Sequence, residues 1–504
     1  MEIIVKRINN FEYSFGLSNR DGIRHVAKAL TFDNPNPFAY SNKIYKFDKR
    51  RFTFRIGMLK TLIDYCKDNG VAYRIEDYEN VIPNIDIDDR MSGKFIHQRL
   101  AVEAFYKRRF GIIVVPTRGG KTFIASEILR IFLNTEKDGK FLFLTDNTTL
   151  FNQAVNDFNA FFERYGGIDT GLIKEGRLDL DKRVAVGMIQ TIQSILSGRC
   201  KDLNRRKNLE RYIKELKFLC VDEIHDNCSD SKLRIYKRMR RLEYQLCLSA
   251  TPYRRGAFVQ NLKLREWSGD VIYEIGEDVL RERGVLSEYR VVMLMIDHNL
   301  IESKQKLGVL ESSEYMFLLK RLIHESKERN DILLKLIDIL KRMRLKTLLL
   351  FQSIDHGKMI SRMTGIPFIS GETSGEERES RKNEFLDADG GMLLASDIFK
   401  KGVTLPQVEV LVNVDGGLED ANTIQKKGRV LGSTDTKKRS IIIDFFDMYR
   451  LYFKDHSHTR LNTYINSVGE NSVDILDSGD NDWIYDVENI LKKWFTGKNF
   501  TDMP

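Results

Sequence analysis

Two short segments, about a hundred residues apart, constrain this chain most: residues 116–122, PTRGGKT, and residues 221–225, VDEIH. The first follows an apolar stretch at 110–115 and precedes a segment with helical spacing. Glycine-rich loops that lead into a helix bind phosphates with backbone N–H groups. The second places two carboxylates after an apolar strand, at the edge where open α/β sheets bind ligands. Together they predict a site for a nucleoside triphosphate, Mg²⁺ and an attacking water.

In the first segment, the Lys121 amine is expected to reach the β- and γ-phosphates, and the Thr122 hydroxyl to bind Mg²⁺. The strict phosphate-loop pattern begins with glycine where this chain has Val115. A structural turn is therefore the alternative for this segment taken alone. The remaining predicted nucleotide contacts are the loop residues Thr117, Gly119 and Gly120.

In the second segment, Asp222 is expected to hold Mg²⁺ and Glu223 to activate the water that attacks the γ-phosphate. An Asp-Glu pair alone is common and is usually a solvated turn. The apolar strand predicted at 218–221, together with the GGKT segment upstream, favours the catalytic interpretation.

The composition bounds the class of protein. A chain of 504 residues exceeds one hydrophobic core, and 42% hydrophobic with 30% charged residues is an ordinary globular balance. The net charge of +9 favours a polyanionic partner such as nucleic acid, although many enzymes share such a balance. Five cysteines without a CxxC pair argue against a disulfide framework or a cysteine zinc site, and the thiols near His225 are interpreted as incidental.

The first residues lack the pattern of a secretory signal, and no 18-residue apolar run is present. A cytoplasmic protein without a membrane partner is predicted. Short apolar strands alternate with helical stretches twice along the chain, which indicates two parallel α/β domains. The predicted division is a small α+β domain at 1–88, an ATP-binding domain at 89–288, a second α/β domain at 289–446 and a mostly helical segment at 447–504. A long helical stretch is predicted over residues 312–343.

These segments, in this order, resemble the motif series of superfamily-2 helicases of the DExH type. The resemblance is carried by GKT at 120–122, DEIH at 222–225 and LSATP at 248–252. Residues 396–406, SDIFKKGVTLP, resemble the fifth motif of that family, and residues 425–429, QKKGR, resemble the sixth. The match spans roughly residues 90–445. It implies two tandem RecA-like domains that hydrolyse ATP with Mg²⁺.

By this resemblance, Gln98 reads the adenine edge, and Arg429 is the arginine finger supplied by the second domain. A surface position is the alternative for Gln98. Where the sixth motif usually ends in a second arginine, this chain has Gly432. The resemblance further implies catalytic, nucleotide-binding and coupling roles for Gln425, Gly402, Ser249, Thr251 and Asp397. A plain turn before Pro252 is the alternative for Ser249 and Thr251.

Residues 145–153 and 187–193 resemble segments that grip a nucleic-acid backbone, with Thr148, Gln190 and Thr191 as the expected contacts. Helix capping is the alternative for such hydroxyls and amides. Residues 38–70 resemble the N-terminal domain of the UvsW family of bacteriophage DNA helicases. Cations interleaved with aromatic rings there suit a nucleic-acid surface, and a solvated hairpin with internal rings is the alternative. These cations are Lys43, Lys46, Lys49, Arg50, Arg51 and Arg55.

The predicted function is an ATP-dependent DNA helicase or translocase acting on forks, four-way junctions and RNA–DNA loops in recombination, repair and replication restart. The resemblance implies 3′ to 5′ polarity, and we expect a monomer, in the host cytoplasm if the chain is of phage origin. The alternatives are an RNA helicase with the same motor and a DNA-stimulated ATPase switch that does not unwind.

Overall fold

The structure is a computed structural model of the chain. It describes residues 2–9, 12–17, 21–36, 41–76, 85–197, 202–254, 256–297, 315–396, 405, 407–415, 437–449 and 452–496. The chain forms two compact units, residues 1–276 and 277–504. Within the described ranges, no helix combines the length and apolar character needed to cross a membrane.

A five-stranded sheet opens the first unit, in the order β5-β6-β2-β1-β7. The neighbours β1 and β2 are antiparallel, whereas β1 and β7 are parallel. Helices α1 and α2 contribute Val26 and Leu62 to a core shared with Ile3 and Val5 of β1. This is the α+β domain that the sequence predicts. Its elements are β1 Glu2–Asn9, β2 Glu12–Leu17, α1 Asp21–Ala29, β3 Thr31–Asp33, β4 Lys43–Tyr45, β5 Phe47–Asp48, β6 Thr53–Arg55, α2 Leu59–Asp68 and β7 Ala72–Glu76.

The second sheet of this unit has eight strands in the order β11-β10-β12-β9-β13-β14-β8-β15. Neighbouring strands are parallel except β10 and β11. The central strands are buried on both faces, which explains their unbroken apolar runs. The strands are β8 Phe110–Val114, β9 Lys140–Thr145, β10 Thr170–Lys174, β11 Arg177–Leu178, β12 Val184–Met188, β13 Leu216–Val221, β14 Tyr244–Ser249 and β15 Val271–Glu274.

The helices that accompany these strands cover a shared apolar core. They are α3 Ile96–Arg108, α4 Lys121–Thr135, α5 Thr148–Phe162, α6 Ile189–Leu196, α7 Leu203–Glu215, α8 Asp230–Tyr236 and α9 Phe258–Ser268. The turn at Ile56–Met58, which follows β6, packs closely on α9. A Cβ at Gly57 would lie 1.8 Å from the Arg265 carbonyl oxygen, so only glycine fits there.

The second unit has a seven-stranded sheet in the order β18-β19-β17-β20-β21-β16-β22, with every neighbouring pair parallel. Its strands are β16 Glu288–Ile296, β17 Thr347–Phe351, β18 Phe368–Ile369, β19 Met392–Ser396, β20 Val410–Asn413, β21 Arg439–Asp447 and β22 Val473–Asp477. Strand β22 lies in the C-terminal region, for which the sequence shows few strand signals. It adds to the sheet beside β16.

The helices of the second unit are α10 Glu277–Glu282, α11 Tyr315–Leu318, α12 Lys327–Arg342, α13 Ile354–Thr364, α14 Gly375–Asp387, α15 Phe453–Val468 and α16 Trp483–Thr496. Of the long helix predicted at 312–343, the described part begins at Tyr315 and is interrupted at Ser326. A π-helical turn covers Leu319–His324, and the Ser326 side chain then caps α12 by accepting from the Arg329 amide. The two parallel sheets with flanking helices confirm the predicted pair of RecA-like domains.

Candidate active site

The phosphate loop connects β8, which is buried along its length, to α4. Gly120 has φ +90° and forms the N-cap of α4, while the Gly119 amide donates to the Pro116 carbonyl at 3.0 Å. A Cβ at Gly120 would meet Nε2 of Gln98 at 2.2 Å. The positive φ favours glycine at 120, and any larger residue would also displace the Gln98 side chain from the loop. The loop is built to expose backbone at the N-terminus of a helix, as phosphate binding requires.

Gln98 lies on α3 and is buried against this loop, with Nε2 donating to the Gly119 carbonyl at 3.4 Å. Its burial rules out the surface position that was the alternative. The adjacent His97 is also buried, and its Nε2 lies 2.8 Å from the same carbonyl oxygen. His97 was missed in the sequence analysis, although its place beside Gln98 was the available signal. The two side chains fix the loop from the α3 side.

The carboxylates follow β13 directly. The Asp222 amide donates to the Leu144 carbonyl at 3.0 Å, and the Asp222 Oδ1 accepts from the Glu223 amide at 3.0 Å. Glu223 has φ +44°, a strained conformation for a residue with a side chain. Its Oε1 lies 3.5 Å from the Lys121 amine. The structure thus brings the lysine of the first segment next to the carboxylate of the second. The sequence alone does not give the order of the strands in the sheet, so it could not establish this contact.

Burial raises the pKa of Asp222 to about 7, and the neighbouring Glu223 charge adds to that rise while Lys121 opposes it. A bound dication would favour the ionised carboxylate, so this group fits the hard oxygen chemistry of Mg²⁺. Near the second predicted ligand, Thr122, burial raises the pKa of Asp157 on α5, while the Gln153 and Thr122 side chains oppose that rise. The oxygen donors at this edge are those that Mg²⁺ prefers.

A series of polar contacts leads from Glu223 to the SAT segment through His225. His225 Nδ1 lies 3.4 Å from Glu223 Oε2 and 3.0 Å from the hydroxyl oxygen of Ser249, at the end of β14. The same Ser249 oxygen accepts from the Thr251 amide at 3.1 Å. A change at Glu223 can therefore reach the backbone at 249–251 through one buried imidazole.

The predicted backbone-gripping residues share the same edge of the sheet, because β9 and β12 are parallel neighbours with Met188 opposite Thr145. Asn147 caps α5, which leaves Thr148 exposed. Gln190 is also exposed, and its amide donates to the Asp146 carbonyl at 2.7 Å; Thr191 beside it is half-buried. The capping alternative holds for Asn147. Thr148 is exposed, whereas the Gln190 amide is already hydrogen-bonded and Thr191 is half-buried, and their contacts with nucleic acid stay predictions.

The N-terminal cations divide into two groups. Lys46 is buried and pairs with Glu266 at 2.6 Å, and Arg55 lies 3.8 Å from Glu12 and over the Trp267 ring. Lys43 pairs with Asp33 at 2.5 Å. Exposed cations remain at Lys49, Arg50 and Arg51, with Lys49 stacked over the Tyr45 and Phe47 rings.

Arg118, inside the phosphate loop, is a residue that the sequence analysis did not single out. It has φ +75°, and its Nη2 is buried without a hydrogen-bond partner among the described residues. Burial lowers the pKa of its guanidinium to about 10. The sequence signal for Arg118 was a basic residue inside the glycine-rich loop, between Pro116 and Gly120. The predicted site residues Asp397, Gly402, Gln425 and Arg429 lie outside the described residues.

Two family models match this chain. Residues 72–254 match the res subunit of type III restriction enzymes, and residues 328–431 match the helicase conserved C-terminal domain. The DNA 3'-5' translocase XPB2 of Sulfurisphaera tokodaii is 24% identical over 405 residues, covering 73% of this chain and 85% of that protein.

Among solved structures, Saccharomyces cerevisiae Dbp5 bound to RNA and ADP BeF3 is 15% identical, with a TM-score of 0.56 over 83% of this chain and 100% of that one. T4 UvsW is 17% identical and covers 95% of this chain and 100% of its own, at a TM-score of 0.42. One family match falls in each RecA-like domain, an arrangement typical of superfamily-2 helicases. The chain is an enzyme that hydrolyses ATP.

Proposed function

We propose that this protein couples ATP hydrolysis to movement along DNA and remodels branched DNA. The observation that carries the proposal is the meeting of Lys121 with Glu223, 3.5 Å apart, beside the half-buried Asp222. Phosphoryl transfer needs positioned charge more than covalent chemistry, and this edge of the sheet offers both signs of charge in fixed places.

Each group at the edge then has a task. The Lys121 amine binds the β- and γ-phosphates, and the Glu223 carboxylate orients a water and accepts its proton. Asp222 and Thr122 hold Mg²⁺, which when bound neutralises charge that develops on the phosphate oxygens. Gln98 positions the base from the α3 side.

Arg118 supports the same assignment, because an anion is the natural partner for a guanidinium nitrogen buried in a phosphate loop. From the family resemblance, Arg429 supplies the arginine finger, with Gln425 and Gly402 beside the nucleotide. The chain from Glu223 through His225 to Ser249 links the state of the γ-phosphate to the SAT segment. Ser249, Thr251 and Asp397 then couple hydrolysis to domain movement.

Several features support DNA as the track. The similar protein XPB2 is named a DNA 3'-5' translocase, and we propose the same polarity here. Exposed Thr148 and Gln190, with Thr191, suit contacts to a phosphate backbone. The resemblance of residues 38–70 to the UvsW family supports forks, four-way junctions and RNA–DNA loops as substrates. The exposed cations Lys49, Arg50 and Arg51 suit the additional phosphates of such a branch.

A substrate panel tests the proposal. The purified chain is incubated with ATP and Mg²⁺ on forks, four-way junctions, RNA–DNA loops, linear duplex and duplex RNA, and strand displacement and ATP turnover are followed together. We expect turnover stimulated by DNA and displacement on at least one branched substrate, faster than on the linear duplex.

Stimulation and displacement by RNA alone would favour an RNA helicase with the same motor. DNA-stimulated turnover without displacement or branch migration on any substrate would favour an ATPase switch. Absence of ATP turnover in every condition would contradict the proposal as a whole.

A further inference from the structure

A second group of metal-binding side chains lies in the second unit, away from any motif that the sequence singles out. His324 ends the π-helical turn, His356 lies in the first turn of α13, and Asp415 follows β20 by two residues. One ligand atom from each lies within 4.8 Å of the others. Asp415 and His356 are buried and His324 is half-buried.

Both imidazoles point at the same carboxylate oxygen. His356 Nδ1 lies 3.4 Å, and His324 Nε2 lies 3.5 Å, from Asp415 Oδ1. Neither ring nitrogen has a hydrogen-bond partner among the described residues. Buried polar atoms normally have partners, and these two nitrogens both face one carboxylate oxygen. A cation or a proton between the nitrogens and the oxygen would satisfy all three atoms.

Asn330 sets the tautomer of His356. The Asn330 amide nitrogen donates to the His324 carbonyl at 2.9 Å, so its other atom facing His356 is the oxygen. That oxygen lies 2.8 Å from His356 Nε2, which must therefore carry a proton. A neutral His356 then directs the Nδ1 lone pair at Asp415 Oδ1. Two lone pairs facing each other repel, and a shared cation or an added proton removes the repulsion.

The distances suit a tetrahedral metal ion. Ligand atoms bound to Zn²⁺ at about 2.0–2.1 Å stand about 3.3–3.4 Å apart. The two measured nitrogen–oxygen separations, 3.4 and 3.5 Å, are close to that value. The surrounding contacts also match a metal centre, since ligating histidines donate their other ring N–H to a fixed acceptor. Here His356 donates to Asn330, and the Gln352 amide donates to the second oxygen of Asp415.

We propose that His324, His356 and Asp415 bind one divalent transition-metal ion of the Zn²⁺ class, with water in the fourth position. Two imidazoles and one carboxylate favour such an ion over Mg²⁺, which prefers oxygen ligands alone. Asp415 stands ten residues before Gln425 and fourteen before Arg429 in the chain. The ion fixes the start of the segment that carries the sixth motif.

Co²⁺ gives the direct test, because tetrahedral Co²⁺ bound to histidine absorbs visible light. The full chain, stripped with chelator, is titrated with Co²⁺ and then Zn²⁺, and bound metal is counted after dialysis. We expect one retained equivalent and a visible band that Zn²⁺ abolishes. The variants His356→Ala and Asp415→Asn lose the band, whereas His458→Ala, which removes an exposed histidine elsewhere in the unit, keeps it.

A graded variant separates ligation from folding. Asn330→Ala keeps all three ligands and is expected to weaken metal affinity about 10- to 100-fold, because Asn330 only orients His356. The unfolding temperature is measured with and without Zn²⁺ for each protein, and only those that bind the ion are expected to be stabilised by it. The proposal is overturned if the wild-type chain shows no Co²⁺ band, or if the wild type and His356→Ala retain equal amounts of metal. A protonated imidazole would then account for the cluster. The outcome does not depend on ATP turnover, so it stands apart from the proposed function.

Discussion

Lys121 and Lys49 are both cations that the sequence offers to phosphate, yet their surroundings differ. Lys121 is 13% exposed and is held 3.5 Å from Glu223 at the nucleotide edge, which we define as Lys121, Asp222, Glu223 and Ser249. Lys49 is exposed over aromatic rings, on the N-terminal basic surface formed with Arg50 and Arg51. Charge in a buried, preorganised site acts with far less screening than charge in water. Substitutions should therefore have large effects at the nucleotide edge and small, salt-dependent effects at the basic surface.

The largest effect is expected from Arg429→Ala, since an arginine finger contributes about 10³–10⁵ in rate. ATP turnover should fall by this factor while nucleotide binding remains. The matched control is Lys427→Ala, which removes a neighbouring cation. Equal ATP turnover in the two variants would show that Arg429 is not the arginine finger.

Asp222→Asn should lower turnover by about 10²–10⁴, the loss expected when several kcal/mol of metal-ion stabilisation is removed. The same variant should stabilise the protein in EDTA. Burial raises the pKa of Asp222 from 3.8 to about 7. Because the carboxyl ionises more readily in the unfolded chain than in the folded one, the wild type loses stability as pH rises through this range.

Thermal unfolding in EDTA at about pH 5 and about pH 8 measures this second effect. The unfolding temperature of the Asp222→Asn variant should exceed that of the wild type by more at the higher pH. An equal difference at both values would contradict the burial of an ionisable carboxyl at this edge.

Ser249→Ala removes the oxygen that joins His225 to the Thr251 amide. One hydrogen bond of about 1 kcal/mol corresponds to roughly a fivefold change in an equilibrium. We expect ATP turnover to change little and strand displacement per ATP hydrolysed to fall by about that factor. Ser268→Ala, at a buried serine on α9, is the control. A parallel fall in turnover and displacement would place Ser249 in hydrolysis instead of coupling.

The smallest effect on ATP turnover is expected at the basic surface, where the substitutions act on DNA binding. Alanine at Lys49, Arg50 and Arg51 together should weaken DNA binding and reduce its salt slope by about 2–3, if each cation neutralises one phosphate. Alanine at Lys207, Arg211 and Lys214 removes the same charge from exposed positions on α7. A salt slope equal to that of this control would exclude the basic surface from DNA binding.

The comparison also explains what the sequence could predict. Phosphate loops and strand-end carboxylates depend on local order, so GGKT and DEIH indicated the fold and the pairing at its edge. Whether a basic side chain is exposed to a ligand or paired inside the protein depends on residues far away in the chain. Lys46 looks like its neighbours in sequence, but Glu266, 220 residues away, pairs with it and buries it.

The His324, His356 and Asp415 cluster could not be predicted from the sequence for the same reason. Its members come from three separate elements and share no spacing signature, so only the order of strands in the second sheet brings them together. Strand β22 was missed because an edge strand with partly buried residues carries a weak apolar pattern.

The most direct test of the nucleotide edge is ATP turnover by Glu223→Gln in the presence of forked DNA. The variant keeps the shape of the side chain and the Lys121 side of the site, but it cannot accept a proton from water. We predict normal ATP binding with turnover reduced by about 10²–10⁴. Turnover equal to that of the wild type would contradict the account, because Glu223 would then have no role in activating the water.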